Sequence, residues 1–217
     1  MTPEPEFVML QCKNPDCRFR CPSNLSEKSL PVCPICGSPI VSATAPFTNQ
    51  KLARPQAVES HPVFEVMLDN LRSTLNVGSI FRTADGAGID RLHLCGTTPT
   101  PEHPKIAKTG LGAEWTLPWE MHRNGLDFTR SRQNAGVAVI SLEAAPSAKS
   151  IFDLDLQASR PVLLVVGNEV SGIDPGILEE SDLVCSIPMS GVKSSLNVAV
   201  AFGIAVYTIK SIYRLAI

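Results

Sequence analysis

With 217 residues, 44% of them hydrophobic and only 6% aromatic, the chain can hold one ordinary domain plus a small module, and it has the profile of an α/β protein with an aliphatic core. Nineteen Lys and Arg against 21 Asp and Glu leave a formal net charge of −2, so charge alone supports no nucleic-acid partner. Seven cysteines, with no secretion-type apolar run at the N-terminus, argue against a disulfide scaffold and for a cytoplasmic protein with metal-bound or reduced thiols.

In chain order, Cys12-Lys13-Asn14-Pro15-Asp16-Cys17 and Cys33-Pro34-Ile35-Cys36-Gly37 come first, two close cysteine pairs. Such knuckles can bring Cys12, Cys17, Cys33 and Cys36 to one tetrahedral zinc ion. A segment this short cannot build its own core, so zinc is expected to supply much of the folding energy of a ribbon spanning residues 1–40. Four sulfur ligands leave no position for substrate, so the zinc is expected to be structural. Cys21 lies too close to Cys17 to extend the paired pattern and is not expected to be a ligand. From Cys12 to Arg54, Lys13, Arg18, Arg20, Lys28, Lys51 and Arg54 outnumber Asp16 and Glu27. That excess reads either as a phosphate-contacting surface or as a solvated face. Residues 41–61, carrying Pro46 and Pro55 and few large apolar side chains, are expected to be a linker.

The pattern changes at residue 62. Val63–Leu68, Arg91–Cys95, Val137–Leu142, Val162–Val166 and Leu183–Ile187 read as strands. Asn76-Val77-Gly78 is expected to break the chain before a helix over Ser79–Gly86, with Gly88 ending it. Gly78 and Arg82 are four residues apart, so the glycine would leave room above the guanidinium. Strands separated by helical stretches predict a mostly parallel sheet with helices on both faces and a ligand beyond the carboxyl ends of the strands.

Leu196 to Ile209 is apolar except for Asn197 and Thr208, and predicts a helix opened by Ser194 or Ser195 and buried nearly all round. About fourteen residues fall short of the roughly 20 that cross a bilayer, so no membrane is expected. A buried Asn197 would need a polar partner. His61, His93, His103 and His122 show no metal spacing and read as ordinary surface or core; Cys95 and Cys185 read as buried small apolar residues. Trp115 and Trp119 read as packing at a domain or dimer surface, with stacking on a base as the alternative.

Three segments carry the polar residues that such a sheet would not need: N-V-G-S-I-F-R-T-A from Asn76, V-V-G-N-E-V-S-G-I from Val165, and I-P-M-S-G-V-K-S-S-L-N-V-A-V-A from Ile187. In that order they resemble the three motifs of the SpoU (TrmH-type) branch of the SPOUT RNA methyltransferases, and Lys108 to Glu114 is similar to a family stretch between the first two. The resemblance implies an α/β domain over residues 62–217 with a C-terminal trefoil knot, working as a homodimer. It also implies methyl transfer from S-adenosylmethionine to a ribose 2′-hydroxyl of tRNA or rRNA.

By motif, the cofactor pocket would use Leu142, Gly167, Ile187, Met189, Ser195 and Leu196, and the catalytic set would be Arg82 with Asn76, Glu169, Ser195 and Asn197 around it. Asn197 is expected to donate its amide to Glu169. A guanidinium stays protonated, so Arg82 is better suited to orient a phosphate and stabilise developing negative charge than to act as a base. Where many relatives carry a ribosomal-protein-like domain this chain has the zinc ribbon, which would then help to grip RNA. The competing readings are a catalytically silent RNA-binding or assembly factor and a base-methylating SPOUT enzyme.

Overall fold

The structure, a computed structural model, describes residues 5–27, 30–48, 62–146, 148–156 and 160–215. The chain divides into two compact units, Met1–Val58 and Glu59–Ile217. The first is a small antiparallel sheet in which β1 (Glu6–Cys12) pairs with β2 (Arg20–Asn24), β3 (Ile40–Ser42) and β4 (Phe47–Thr48). Val8, Leu10 and Cys12 alternate inward along β1 and are buried, which is the period-2 signature of a strand with one covered face. The sheet of the first unit therefore reaches further than residue 40: Ile40 pairs with Cys12 and Phe47 with Phe7, so the start of the expected linker is sheet. Residues 49–61 of that linker, with Lys51, Arg54 and His61, lie outside the described residues, as does Lys28.

The second unit runs β5 (Phe64–Asp69), α1 (Thr74–Ala87), β6 (Arg91–Cys95), the short helices α2 (Ala107–Gly110) and α3 (Ala113–Thr116), β7 (Trp119–His122), α4 (Gly125–Asn134), β8 (Ala138–Leu142) and β9 (Lys149–Ser150). It ends with β10 (Val162–Val166), α5 (Pro175–Glu180), β11 (Leu183–Ser186) and α6 (Val198–Leu215). The strand order is β7-β6-β5-β10-β8-β11-β9, and every strand pairing of this sheet among the described residues is parallel.

Both central strands are buried throughout, and their alternate residues feed two cores. Val66, Leu68, Leu164 and Val166 join the side covered by α1 and α6 through Ile80, Phe81, Phe202 and Val206. Met67, Leu163 and Val165 join the other side, covered by α4 and α5 through Leu126, Phe128 and Ile177. Helices thus cover both faces, as the sequence pattern predicts. The strand β7 and helix α4 were not foreseen.

Helix α1 starts at Thr74 rather than Ser79, because Ser73 caps it by accepting from the Asn76 N–H at 3.3 Å. Gly88 ends it as expected, in the left-handed region at φ 66°. Gly78 is inside this helix, and it makes room for α2 rather than for Arg82: a Cβ there would sit 2.3 Å from Thr109 Oγ1 and 2.4 Å from the Ile106 carbonyl. Gly78→Ala is therefore expected to cost about 1–3 kcal/mol. Thermal unfolding checks it, as a Tm lowered by roughly 2–4 °C per kcal/mol.

Helix α6 also differs from expectation. It opens at Val198, and Asn197, not Ser194 or Ser195, caps it by accepting from the Ala199 N–H at 2.9 Å and the Val200 N–H at 3.4 Å. Its buried stripe is Phe202, Ala205, Val206 and Ile209, at helical spacing, while Val200 and Tyr207 are exposed. Among the described residues no helix is long and apolar enough to cross a membrane.

Candidate active site

The carboxyl ends of β8, β10 and β11 open onto a cavity of about 660 Å³. Leu142, Val166 and Ser186, the last residues of those three strands, line it. The rest of the lining comes from four places: the start of α1 (Arg72, Ser73, Asn76), the residues just after β8 (Glu143, Ala144), the turn after β10 (Gly167 to Val170, and Gly172), and the segment into α6 (Ile187, Met189, Ser194 to Val198, and Ala201). Each of Leu142, Gly167, Ile187, Met189, Ser195 and Leu196 is on that wall, and so are Asn76, Glu169 and Asn197.

Arg82 is not. It is exposed on α1, six residues beyond Asn76 and so about 9 Å further along the helix axis. The cation on the wall is Arg72, which sequence reasoning missed because nothing in its neighbours sets it apart from a solvated arginine. Glu143 was missed too. Its position directly after a buried strand, at the carboxyl edge of a parallel sheet, is the signal that would have found it.

The turn after β10 is shaped by its own backbone. Gly167 carries no Cβ because one would lie 2.4 Å from the Ile173 nitrogen and 2.5 Å from the Gly172 carbonyl carbon. Gly172 takes φ +75°, and the Asn168 and Gly172 backbones exchange hydrogen bonds at 3.0 Å each way. Asn168 Oδ1 accepts from the Val170 and Ser171 N–H groups, and its amide donates to the Asn70 carbonyl at 2.6 Å. The turn is thereby pinned to the end of β5.

One chain of hydrogen bonds ties the start of α1, the β10 turn and the segment into α6 together. Asn197 Nδ2 donates to Asn76 Oδ1 at 3.0 Å, and Asn76 Nδ2 donates to Glu169 Oε1 at 2.9 Å. Asn197 therefore does not reach Glu169 directly as expected; Asn76 stands between them. Glu169 also accepts the Ser73 N–H at 3.0 Å on Oε1 and the Arg72 N–H at 2.9 Å on Oε2. Partial burial opposes its ionisation, but the donors, Asn76 first and then the backbone N–H groups, outweigh it and hold the carboxyl below its ordinary value. A carboxylate with three fixed donors and a lowered pKa is a clamp and a weak base. Ser195 is exposed on the wall and makes no hydrogen bond among the described residues, so its hydroxyl is available to a ligand.

In the other unit, Cys12, Cys17, Cys33 and Cys36 bring their sulfurs within 4.8 Å of one another; Cys21 is outside the group. The Cys12–Cys36 and Cys17–Cys33 sulfur pairs are 3.5 and 3.8 Å apart. A tetrahedral zinc with bonds of about 2.3 Å spaces its sulfurs by about 3.8 Å. Of the residues read as ordinary, Cys95 and Cys185 are indeed buried, and Trp115 is exposed while Trp119 packs half-buried on β7. His93 and His122, however, meet across β6 and β7, with Nδ1 and Nε2 2.9 Å apart. Their separation of 29 positions hid this pairing; only the β6–β7 register brings them together.

The chain is similar to the 23S rRNA (guanosine(2553)-2′-O)-methyltransferase RlmP of Bacillus subtilis, with 29% identity over 170 residues, 78% of this chain and 64% of that protein. Among solved structures, an rRNA methyltransferase from Sinorhizobium meliloti with AdoMet bound superposes with a TM-score of 0.65 at 31% identity, covering 70% of this chain and 57% of the other. The A. aeolicus TrmH/SpoU tRNA modifying enzyme does so with a TM-score of 0.64 at 27% identity, covering 71% and 77%. The chain thus spans only part of the length of these relatives, a little over half to about three quarters. The model of the SpoU rRNA Methylase family matches residues 63–207, the parallel-sheet unit that carries the cavity, and the chain belongs to that family.

Proposed function

We propose that this protein transfers a methyl group from S-adenosylmethionine to a ribose 2′-hydroxyl of tRNA or rRNA. The observation that carries the reading is the convergence of residues 72–76, 166–172 and 186–198 on one cavity at the carboxyl edge of the sheet. The residues present fit the methyl donor. Leu142, Val166, Ile187 and Leu196 offer apolar wall for an adenine, and Glu143 and Glu169 offer negative charge to a cationic sulfonium. When bound, the donor supplies an electrophilic methyl that needs no metal to activate it.

The chain's own residues then have positional roles. Glu169 and Asn76 hold the start of α1 against the β10 turn, and Asn197 fixes the start of α6 to both. Holding the acceptor oxygen in line with the methyl group supplies much of the acceleration in such a displacement. Ser195 presents a free hydroxyl to the ligand, and Arg72 stands at the wall. Arg82, further along α1, meets the RNA strand and orients a phosphate there. The segment through β11 and α6 is proposed to form the trefoil knot, the four cysteines to hold structural zinc, and the ribbon to help grip RNA; the location is proposed to be cytoplasmic.

A homodimer is part of the same reading. Leu75, Met189, Val192, Leu196, Val200 and Tyr207 are apolar or aromatic and exposed along the start of α1 and the approach to and length of α6. Val200→Asp is expected to convert a dimer to a monomer in light scattering, halving the mass and lowering transfer.

The test of function is incubation of the purified protein with methyl-labelled S-adenosylmethionine and RNA from cells lacking it. Label on one ribose 2′-oxygen is the expected result. Label on a base would make it a base methylase, and cofactor binding or RNA binding without transfer would make it a silent relative.

A further inference from the structure

We infer that His93, His122 and Glu120 form a divalent-metal site of the zinc class at the β6–β7 edge of the sheet, separate from the four cysteines. His93 Nδ1 and His122 Nε2 are 2.9 Å apart, and Glu120 Oε2 is 4.0 Å from the first and 3.8 Å from the second. A point equidistant from three atoms so placed lies about 2.1 Å from each, which is the length of a zinc–nitrogen or zinc–carboxylate bond. The other oxygen of Glu120 is engaged by the Arg91 guanidinium, which leaves Oε2 to face the imidazoles.

A second observation concerns the far side of His93. Its Nε2 is buried and makes no hydrogen bond among the described residues, yet it lies 3.6 Å from Glu65 Oε2. Glu65 is itself held in place by the Arg132 guanidinium. With the ring proton on Nε2, directed at that carboxylate, Nδ1 is left as a lone pair toward Glu120 and His122. This is the carboxylate–histidine–metal order that orients ligating imidazoles. Phe128 of α4 packs on both rings, with centroids 4.3 Å from His93 and 4.0 Å from His122, and so fixes their planes.

Two imidazoles and one carboxylate suit zinc, cobalt and nickel rather than calcium or magnesium. The His122 side chain is 23% exposed and that of Glu120 47%, so an ion can enter from solvent and complete its shell with water. Its effect would be to staple the edge strand β7 to β6.

The experiment uses the full chain saturated with zinc at one equivalent and then titrated with Co(II). One further equivalent is expected, with weak d–d absorption and no thiolate charge-transfer band, raising Tm. Glu120→Gln, on an exposed side chain, is expected to weaken that binding at least tenfold and His122→Ala to abolish it together with the Tm rise. Uptake that is unchanged in Glu120→Gln, a thiolate band on the second equivalent, or no second equivalent would each overturn the site and leave an ordinary imidazole–imidazole hydrogen bond. If His122→Ala does not fold, Glu120→Gln alone decides.

Discussion

Glu169→Ala is expected to lower methyl transfer by about a hundredfold, whereas Glu169→Gln stays within about tenfold of the native protein. Alanine leaves three donors without an acceptor, the Arg72 and Ser73 N–H groups and the Asn76 amide, each worth about 1 kcal/mol as a hydrogen bond. The start of α1 is then free to move relative to the β10 turn, and a displacement of about 1 Å at the reacting atoms is enough for the loss. Glutamine keeps one carbonyl oxygen for two of the donors and loses the third. A general base would behave otherwise, because glutamine would be as dead as alanine. Single-turnover transfer by the two variants separates these roles. The clamp also carries a pH signature. Its folded pKa lies below the ordinary 4.5, so its contribution to stability is present above that value and is lost as the pH falls through the folded one. The gap in urea midpoint between the native protein and Glu169→Gln should therefore narrow in acid.

How much of this was legible before the structure depends on whether the determining contact is local. Strands β5, β6, β8, β10 and β11 were readable because their residues are apolar in sequence and each run ends at a turn. The cavity wall was readable from motif resemblance, and the strand-end rule placed its edge. What failed was set by partners distant in sequence. Gly78 looked like a helix breaker because Thr109 and Ile106, which need its missing Cβ, are about thirty residues away. Asn197 looked like a buried amide inside an apolar helix, yet one side of α6 is exposed in this chain and the asparagine is its cap. Strand β7 is a four-residue edge strand with only its end residues half-buried, so it lacks the apolar run that announces a strand. Arg82 stands out in its motif but not in the cavity of its own chain, where Arg72 takes the wall.

Removing metal from the cysteine cluster is expected to unfold residues 5–48 and leave the parallel-sheet unit intact. Among the described residues of the first unit, the buried apolar side chains are Val8, Leu10, Cys12 and Cys33, and two of those four are the proposed ligands themselves. Two aliphatic side chains cannot offset the entropy of ordering a segment this long, which costs about 1–2 kcal/mol per residue for the backbone alone. Zinc bound to comparable sulfur sites contributes about 10–16 kcal/mol and turns the balance. The thiols respond in the same direction. Without a cation, desolvation first and the facing sulfurs next push Cys12 up to about 12, while the Ser38 hydroxyl and N–H draw Cys36 down to about 6. The metal-free cluster thus keeps a buried proton that zinc would have to expel, so binding should release protons and weaken as the pH falls. Amide spectra recorded before and after chelation give the answer: dispersed signals from residues 5–48 should collapse while those from 62–215 persist. Cys33→Ser should reproduce the collapse, and Cys21→Ser should not, because its sulfur is outside the group of four. A first unit that stays folded under chelation would mean that its strands, and no metal, hold it together.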